Sequence, residues 1–553
     1  MSDQVPTVVV GLDGATFDII DRLAPQGRVP NIRRLMEQGA RATLLSSTPP
    51  LSAIAWTTIT TGVNPGKHGI YDFAHRKKEG YDFVPHTARD KKAPSVWKLL
   101  GDAGKKSCIV NVPLTYPAER LNGVMVSGFP FPPEAPDWTF PSSLGAELKR
   151  ELGEVDFSKP GGLIRDGQEE ALIDEVEEKT DRQLKVLEYL VKRDSYDFVM
   201  TVFDGIDVAS HSLWKLIDPN HPKHDERRAK EAGEQFYRSY EVSDRALGRI
   251  REMAGGDVNF VVLSDHGNGP VYHGVYVNNW LASMGYLQFR RTVTTRTKRW
   301  LFGKGLNVYN IFRLAHRLGI LPGFEEAYAR KSFSLGLVKR LALSFDDIDW
   351  ERTRVYSFGN YGQLFVNLKG REPRGIVEPG AEYDVLLSEV ADGIRNLKDE
   401  ETGKRIFDQV YRGAELYSGP YEGDGPDILF FDRDMLYTPH RIFELATNRL
   451  VSPHPLYSGN HKQEGILLAD GPRVKKGASG SSFSVEEITP TVLALLGVAQ
   501  GREMDGKPLG SVFELQSSGL VRGREPKKEE AAPAFTEQDS QELTKRLKDL
   551  GYI

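Results

Sequence analysis

The sequence predicts an α/β protein in which helices cover both faces of a mostly parallel central sheet. Short apolar runs rich in Val and Ile recur along the chain and are typical of fully buried strands. Long amphipathic patterns at 169–191 and 224–253 predict helices between them. Such alternation of strands and helices favours a parallel sheet with helical crossovers. The predicted strands are 7–13, 107–112, 198–203, 259–263 and 428–431.

Composition limits the class of protein. The 553 residues include 72 Lys plus Arg and 77 Asp plus Glu, a formal charge of −5 that gives no reason to expect nucleic acid as a partner. The single cysteine, Cys108, excludes an intramolecular disulfide and a thiolate zinc site, which favours a reducing compartment. The chain shows no signal-peptide pattern and no apolar run of the ~20 residues that span a bilayer. We therefore expect a soluble, cytoplasmic protein.

Changes in composition divide the chain into four parts. Residues 1–288 and 346–515 are expected to form the two parts of the core. Residues 289–345 are rich in Arg, Lys and aromatic residues and predict a basic helical insertion, either a solvated cap or an anion-binding lid or membrane-surface contact. Residues 516–553 predict a linker and a short helix that docks on the body or on a partner, including a second copy of the chain. The leucines on one face of that helix are Leu543, Leu547 and Leu550.

Acidic and histidine side chains follow several predicted strands. Asp13 ends the first strand, and Asp265 and His266 follow the strand at 259–263. Asp207 and His211 lie four residues apart after another strand, a spacing that places both on one face of a helix. Ligands of open α/β sheets gather at the carboxyl ends of strands, so these positions predict a metal site held by nitrogen and oxygen donors.

Ser52 is the candidate nucleophile. It opens a predicted helix after a Pro-rich turn, so its hydroxyl is expected to face the strand ends while the helix N-terminus favours an approaching anion. Taken alone, a serine at this position is also typical of a helix N-cap.

Two motifs carry a family resemblance. They are Thr-Gly-x-x-Pro-x-x-His-Gly at 61–69 and Ser-Asp-His-Gly at 264–267. With the segments 278–280 and 365–374, the chain resembles the type I phosphodiesterase and nucleotide pyrophosphatase branch of the alkaline phosphatase superfamily. It is similar in particular to the bacterial and archaeal phosphohydrolase/phosphomutase group, up to about residue 515.

The resemblance implies an alkaline phosphatase-like α/β/α sandwich and a two-metal phosphate-ester hydrolase. One divalent ion would be held by Asp13, Asp265 and His266, beside the nucleophile Ser52. The other would be held by Asp207, His211 and one late histidine. His461 fits that role because it precedes a predicted strand, and His454 is the alternative. Zn²⁺ is the expected metal, with Mn²⁺ as the alternative, and the implied substrate is a phosphorylated small molecule or lipid.

The chain departs from the family pattern at one point. An asparagine that donates to a phosphoryl oxygen has no clear equivalent after Ser52, which puts nucleotide diesters in doubt as substrates. Lys67 or His273 could replace it, or else His68 or a basic residue of the insertion, although His68 is more typical of a structural histidine.

Three other functions share this fold. A cofactor-independent phosphomutase would use the same nucleophile and metals, and a non-catalytic scaffold would use the same fold. The scaffold is disfavoured because a complete set of candidate ligands and a hydroxyl nucleophile are present. A sulfatase would need a Cys/Ser-x-Pro-x-Arg motif, which the sequence around Ser52 does not match.

Overall fold

A computed structural model provides the structure of the chain. It describes residues 5–131, 137–155, 166–318, 342–515 apart from 360, 442, 444 and 445, and residues 540, 541, 543 and 544. In these ranges, no helix is long and apolar enough to cross a membrane.

The described residues form the following strands and helices. The strands are β1 (Thr7–Leu12), β2 (Ala40–Leu45), β3 (Ala74–Arg76), β4 (Phe83–Pro85), β5 (Ser107–Val112), β6 (Gly123–Ser127), β7 (Thr139–Phe140), β8 (Phe198–Phe203), β9 (Asn259–Leu263), β10 (Gly267–Pro270), β11 (His273–Tyr276), β12 (Val355–Ser357), β13 (Gln363–Val366), β14 (Gln409–Arg412), β15 (Ile428–Phe431), β16 (Tyr437–His440), β17 (Val451–Pro453), β18 (Gly459–Lys462), β19 (Glu464–Asp470) and β20 (Ser479–Ser484). The helices are α1 (Phe17–Leu23), α2 (Pro30–Gln38), α3 (Ser52–Thr61), α4 (Pro65–His68), α5 (Val96–Asp102), α6 (Ser143–Leu152), α7 (Glu169–Arg193), α8 (Gly205–Ile217), α9 (Glu226–Ala254), α10 (Val277–Ser283), α11 (Val293–Gly303), α12 (Val308–Arg317), α13 (Ala381–Arg395), α14 (Gly413–Leu416) and α15 (Ile488–Leu495).

The central sheet is mostly parallel, as predicted. Its strand order in the described residues is β20-β2-β19-β9-β1-β8-β5-β6-β7. β1 lies between β8 and β9 and is parallel to both, and β5 is parallel to β8 and β6. β19 is antiparallel to β2 and β9, and the edge strand β7 is antiparallel to β6. Every residue of β1, β5, β8 and β9 is buried, because helices cover both faces of these strands.

Alternate residues of β1 show the two covered faces. Val8 and Val10 belong to a core cluster that includes side chains of α7 and α9, whereas Val9 belongs to a second cluster with side chains of α3 and α15. Because successive side chains of a strand point to opposite faces, the two clusters lie on opposite sides of the sheet. Burying one Val, Leu or Ile side chain stabilises a protein by roughly 1.5–3 kcal/mol, so both layers contribute to stability. The predicted α/β/α sandwich is confirmed.

A second unit with its own core extends from β11 to β17. It contains an antiparallel sheet in the order β12-β13-β15-β14 and a three-stranded sheet in the order β16-β11-β17. The predicted strand at 428–431 is present as β15, but its partners are the antiparallel strands β13 and β14 rather than strands of the central sheet. A short apolar run indicates that a strand is buried on both faces, but it does not indicate which strands pair with it. The sequence pattern therefore could not distinguish the two sheets.

The predicted insertion and the C-terminal segment are partly described. Helices α11 and α12 lie in the basic segment, and Asp347 accepts hydrogen bonds from Thr295 and Lys298 of α11 at 2.8 and 2.9 Å. Residues 319–341 of the insertion lie outside the described part. Leu543 is fully buried in the core cluster that contains Val8, whereas Leu547 and Leu550 lie outside the described residues.

Candidate metal centre and nucleophile

The first ligand group lies at the ends of the neighbouring strands β1 and β9 and consists of Asp13, Asp265 and His266. Nε2 of His266 lies 3.5 Å from Oδ1 of Asp13 and 3.3 Å from Oδ2 of Asp265. All three side chains are buried, and those two oxygens have no hydrogen-bond partner among the described residues. Buried carboxylate oxygens are normally paired, so this geometry fits a cation between the oxygens and the ring.

Asp207, His211 and His461 form the second ligand group. The first two residues lie one turn apart on α8, directly after β8, and His461 lies on β18. Nε2 of His211 lies 3.3 Å from Asp207 Oδ2, and Nε2 of His461 lies 3.4 Å from Asp207 Oδ1. The Nε2 atoms of the two rings are 3.1 Å apart. One carboxylate and two imidazoles therefore converge on one point.

Asp207 connects the two groups. Ligand atoms of Asp207, His211 and His461 all lie within 4.8 Å of one another, and so do those of Asp13, Asp207 and His266. The rings of His266 and His461 are stacked with centroids 3.7 Å apart. The six sequence-predicted ligands therefore form one buried cluster, and Asp207 faces both halves of it.

Backbone carbonyls set the orientation of the three histidine rings. In each ring Nδ1 lies at hydrogen-bond distance from a carbonyl oxygen, which can only accept, so the proton of the neutral ring is on Nδ1. The distances are 2.9 Å from His211 to Gly459, 3.1 Å from His266 to Gly267 and 2.8 Å from His461 to Pro50. Each Nε2 then presents a lone pair to the centre of the cluster, as in histidines that bind metal.

Ser52 lies against the first ligand group. It is the first residue of α3, and its Oγ lies 3.1 Å from Nε2 of His266. Leu51 occupies the N-cap position, so Ser52 is not the cap of this helix. Because Ser52 opens α3, the N-terminus of this helix, which is the positive end of its dipole, lies close to the cluster.

Burial and neighbouring charges shift the pKa values of the three carboxylates. Burial, together with the charges of Asp265 and Asp207, raises the pKa of Asp13 well above its ordinary value. Burial and the charge of Asp207 raise the pKa of Asp265 to about 8. Burial alone would also raise the pKa of Asp207, but His211 and His461 outweigh it and hold that pKa well below its ordinary value.

This chemistry fits divalent transition-metal ions. The six donors are three carboxylates and three imidazoles, the set that Zn²⁺ and Mn²⁺ accept in the absence of thiolates. Burial lowers the pKa of His266 well below its ordinary value, which keeps the ring neutral and able to bind a metal. Positive charge in the cluster would also offset the repulsion among the carboxylates.

Two residues that donate hydrogen bonds to the candidate ligands were not predicted from the sequence. Trp56 donates from Nε1 to Asp13 Oδ2 at 3.0 Å, and Asn268 donates from Nδ2 to Asp207 Oδ1 at 3.1 Å. Trp56 follows Ser52 by four residues, so helical spacing could have placed both on one face of α3. Asn268 directly follows the Ser-Asp-His-Gly motif, but nothing in the sequence shows which carboxylate it reaches.

Tyr361 of the second unit contacts residues at the cluster of candidate metal ligands. It lies between β12 and β13, and its hydroxyl donates to Asn460 Oδ1 at 2.7 Å. Its ring is stacked near His461 with centroids 5.5 Å apart. The sequence offered no signal for this contact, because it joins separate sheets.

The two predicted substrate-binding residues have other partners. Lys67 pairs with the carboxylate of Asp505 and donates to the carbonyl of Glu503 at 2.8 Å. His273 lies on β11, in the second unit, with its ring stacked on Tyr437 at 4.8 Å. Neither contact involves the six candidate ligands, and both residues stay sequence-based candidates.

The two remaining histidines from the sequence analysis also have defined surroundings. His68 is fully buried, lies 3.1 Å from Thr58 Oγ1 through Nε2, and accepts a hydrogen bond from the backbone of Ile70 through Nδ1. His454, the alternative metal ligand, has its Nε2 3.0 Å from Nε2 of His440. His461, the other candidate, has its Nε2 3.1 Å from Nε2 of His211.

Comparison with known proteins identifies the family. The sequence model described as type I phosphodiesterase / nucleotide pyrophosphatase matches residues 7–331. Human ectonucleotide pyrophosphatase / phosphodiesterase 5 has a similar structure, with a TM-score of 0.50 and 11% identity over 91% of this chain and 97% of that chain. Phosphonoacetate hydrolase from Sinorhizobium meliloti 1021, in complex with phosphonoformate, gives a TM-score of 0.51 and 14% identity over 89% of this chain and 96% of that chain. No curated protein matches the sequence. The chain belongs to the type I phosphodiesterase / nucleotide pyrophosphatase family of the alkaline phosphatase superfamily, and this family supports phosphoester hydrolysis as its activity.

Proposed function

We propose that the chain hydrolyses phosphate mono- or diesters with Ser52 as the nucleophile, through a phosphoserine intermediate. The observation that carries this proposal is the 3.1 Å distance between Ser52 Oγ and Nε2 of His266, inside a buried cluster of carboxylates and imidazoles. A hydroxyl at the edge of such a cluster is placed for activation as a nucleophile.

Two divalent ions complete the proposed site. Asp13, Asp265 and His266 would hold one ion, and Asp207, His211 and His461 would hold the other, with Asp207 facing both. When bound, such ions act as Lewis acids that neutralise phosphoryl oxygens and favour the deprotonated form of a nearby hydroxyl. We expect Zn²⁺ first, because imidazole and carboxylate donors suit it, and Mn²⁺ as the alternative.

The reaction has two steps. In the first, the Ser52 oxygen forms a bond to phosphorus, the bond from phosphorus to the leaving alcohol breaks, the hydroxyl loses its proton and the alcohol gains one. In the second, water attacks the phosphoserine, releases the phosphate or phosphate monoester, and restores the Ser52 hydroxyl. The N-terminus of α3 favours the approach of the anionic substrate.

Supporting residues fix the positions of the groups that bind and react. Trp56 orients Asp13, and Asn268 orients Asp207 while also donating to the carbonyl of Gly14 at 3.1 Å. Gly14 has φ of 71°, and a Cβ at this position would collide with the Asn268 amide. The backbone turn after Asp13 and the Asn268 side chain therefore require each other, and both hold carboxylates toward the cluster.

The substrate class follows from the site and from the family. We infer a phosphorylated small molecule or a lipid phosphate ester, because the nucleophile lies in a buried cluster rather than on an open surface. A phosphomutase differs from this proposal only in the second step, where a substrate hydroxyl replaces water.

The proposal is tested by parallel hydrolysis of p-nitrophenyl phosphate and bis-p-nitrophenyl phosphate by protein reconstituted with Zn²⁺ or Mn²⁺. Ser52→Ala should lower release from the preferred ester by roughly 10³-fold or more. Ser243→Ala is the matched control, since Ser243 is a buried helical serine whose Oγ donates to Ser239. Release that is equal in wild type and Ser52→Ala would contradict the proposal, and no release from either ester would favour a phosphomutase or a scaffold.

A further inference from the structure

A second cluster of metal-binding side chains lies on the β3–β4 hairpin and the short 3₁₀ helix after it. His75 lies on β3, His86 directly follows β4, and Asp90 ends the 3₁₀ helix Ala88–Asp90. One ligand atom from each of the three residues lies within 4.8 Å of the other two. None of the three belongs to the cluster around Ser52, so this site is separate from the proposed reaction.

The two rings converge on the carboxylate. The centroids of His75 and His86 are 4.4 Å apart, with the ring planes tilted by 36°. Nδ1 of His86 lies 3.6 Å from Oδ2 of Asp90, which is beyond normal hydrogen-bond distance. The Nδ1 atoms of both rings are buried and have no hydrogen-bond partner in the described part of the chain.

Two unpartnered ring nitrogens call for an explanation. The His86 side chain is more than nine-tenths buried, at 7% exposure, and a polar atom buried without a partner costs about 1–3 kcal/mol. A divalent ion between the rings and the carboxylate would satisfy both nitrogens at once. Ligands in metal sites lie about 2.0–2.2 Å from Zn²⁺, and the 3.6 Å between Nδ1 of His86 and Oδ2 of Asp90 is close to the separation of two ligands of one such ion.

The neighbouring backbone holds Asp90 in place for this role. Its Oδ2 accepts hydrogen bonds from the backbone N–H of Thr87 at 2.7 Å and from the Thr87 hydroxyl at 3.0 Å. The backbone N–H of His86 donates to the carbonyl of Phe73 at 2.8 Å, which fixes the end of the hairpin. The donors are therefore preorganised by local structure and not only by contact with one another.

Two positive charges near the hairpin have their own partners, whereas Lys92 also acts on His75. Arg76 forms an ion pair with Glu372 at 2.8 Å, and Lys91 pairs with the carboxylate of Glu119. These pairs reduce the repulsion that a bound cation would meet beside the hairpin.

We propose that His75, His86 and Asp90 bind a further divalent transition-metal ion of the zinc class, with a water molecule as the remaining ligand. Two imidazoles and one carboxylate are a donor set that Zn²⁺ accepts. The ion ties the base of the hairpin to the 3₁₀ helix that carries Asp90, and the Ala88 N–H of this helix donates to the carbonyl of Tyr116 at 2.7 Å. The tip of the hairpin packs on the second unit. There the ring of Tyr81 stacks on Trp350 at 3.6 Å, and its hydroxyl donates to Asn367 at 2.6 Å. The site is therefore structural and stabilises the joint between the two units.

Metal counting on the full chain tests this site separately from the proposed reaction. Protein saturated with Zn²⁺ and freed of excess metal should contain three ions per chain by elemental analysis, and His86→Gln should contain two while keeping wild-type phosphoesterase activity. His221→Gln is the matched control, because His221 is equally buried and its Nε2 lies 3.0 Å from the carbonyl of Val271, outside both clusters. It should retain three ions.

A second variant, at a less buried ligand, tests the site if His86→Gln fails to fold. The His75 side chain is only partly buried, so His75→Asn should fold and should also lose one ion relative to wild type. The unfolding temperature of wild type should rise on Zn²⁺ addition by more than that of His75→Asn. Equal metal content and equal Zn²⁺ response in wild type, His86→Gln and His75→Asn would overturn the proposal, whatever the outcome of the hydrolysis assay.

Discussion

His211 and His461, 250 residues apart in the chain, place their Nε2 atoms 3.1 Å from one another. Both rings have Nδ1 at hydrogen-bond distance from a backbone carbonyl, so in the neutral rings two lone pairs face each other beside Asp207. Two acceptors at that distance repel unless a proton or a cation lies between them. This contact is the strongest local reason to expect a cation in the second ligand group.

The first prediction is that metal removal lowers both activity and stability. Chelation leaves the carboxylates of the first group buried without positive charge, so unfolding should become easier. An ion present at about 1,000 times its dissociation constant stabilises the folded state by about 4 kcal/mol. Calorimetry of chelated and Zn²⁺-loaded protein should therefore show a higher unfolding temperature with metal, and Zn²⁺ or Mn²⁺ should restore activity. Unchanged unfolding and hydrolysis after complete chelation would contradict the two-metal site.

The second prediction concerns Trp56, whose indole orients Asp13. Trp56→Phe keeps most of the buried ring but removes the 3.0 Å hydrogen bond to Asp13 Oδ2. Loss of such a supporting bond should weaken metal affinity by about 10–100-fold. Trp97→Phe is the control, because Trp97 is also fully buried and its Nε1 donates to Glu119 at 3.0 Å, away from the cluster. Zn²⁺ titration of the two variants should separate them, and equal affinities would show that Trp56 only packs.

The third prediction is that buried neutral histidines contribute a loss of stability in mild acid. Burial lowers the pKa of His68 to about 3 and those of His221 and His440 to about 4, from an ordinary value of 6.5. Between pH 6.5 and 4 the unfolded chain binds protons at these three positions that the folded chain does not, so these rings lower the free energy of unfolding as pH falls. In chelated protein the raised pKa values of Asp13 and Asp265 act in the opposite direction, so the effect of the rings is measured by comparing variants. Each such proton contributes at most about 1.4 kcal/mol per pH unit.

Denaturant unfolding of chelated protein at pH 7, 6 and 5 measures this slope. His440→Asn removes one of the three groups, so on going from pH 7 to pH 5 its free energy of unfolding should fall less, or rise more, than that of wild type. An unchanged slope in His440→Asn would contradict the assignment of the His440 ring as buried and neutral.

Strand patterns and motif spacing were sufficient for five strands of the central sheet, β1, β5, β8, β9 and β19, and for the positions of the candidate ligands, but they did not predict β2, β6, β7 or β20. The runs at 7–13, 198–203 and 259–263 are mostly apolar because both faces of these strands are covered, and the polar residues at their carboxyl ends mark one edge of the sheet. Asp207 and His211 converge because a helix places residues four apart on one face. These features are local, so a single sequence contains them.

Contacts between distant segments were not predictable in the same way. Strand 428–431 was expected in the central sheet because its composition reports burial, whereas its antiparallel partners depend on the fold of the second unit. Tyr361 reaches Asn460 across two sheets. Asn268 directly follows a recognised motif, but its amide reaches Asp207 only because β8 and β9 lie on either side of β1. Such contacts require the relative placement of whole elements.

Phosphorylation of Ser52 during turnover tests the central claim most directly. Wild-type protein with Zn²⁺ or Mn²⁺ would be mixed with excess p-nitrophenyl ester, quenched in acid within the first turnovers, digested and analysed by mass spectrometry. The account predicts one phosphoryl group on the peptide that contains Ser52, which is absent from Ser52→Ala and from chelated protein. Steady turnover of the ester with no phosphoryl group on that peptide, together with full activity of Ser52→Ala, would contradict it.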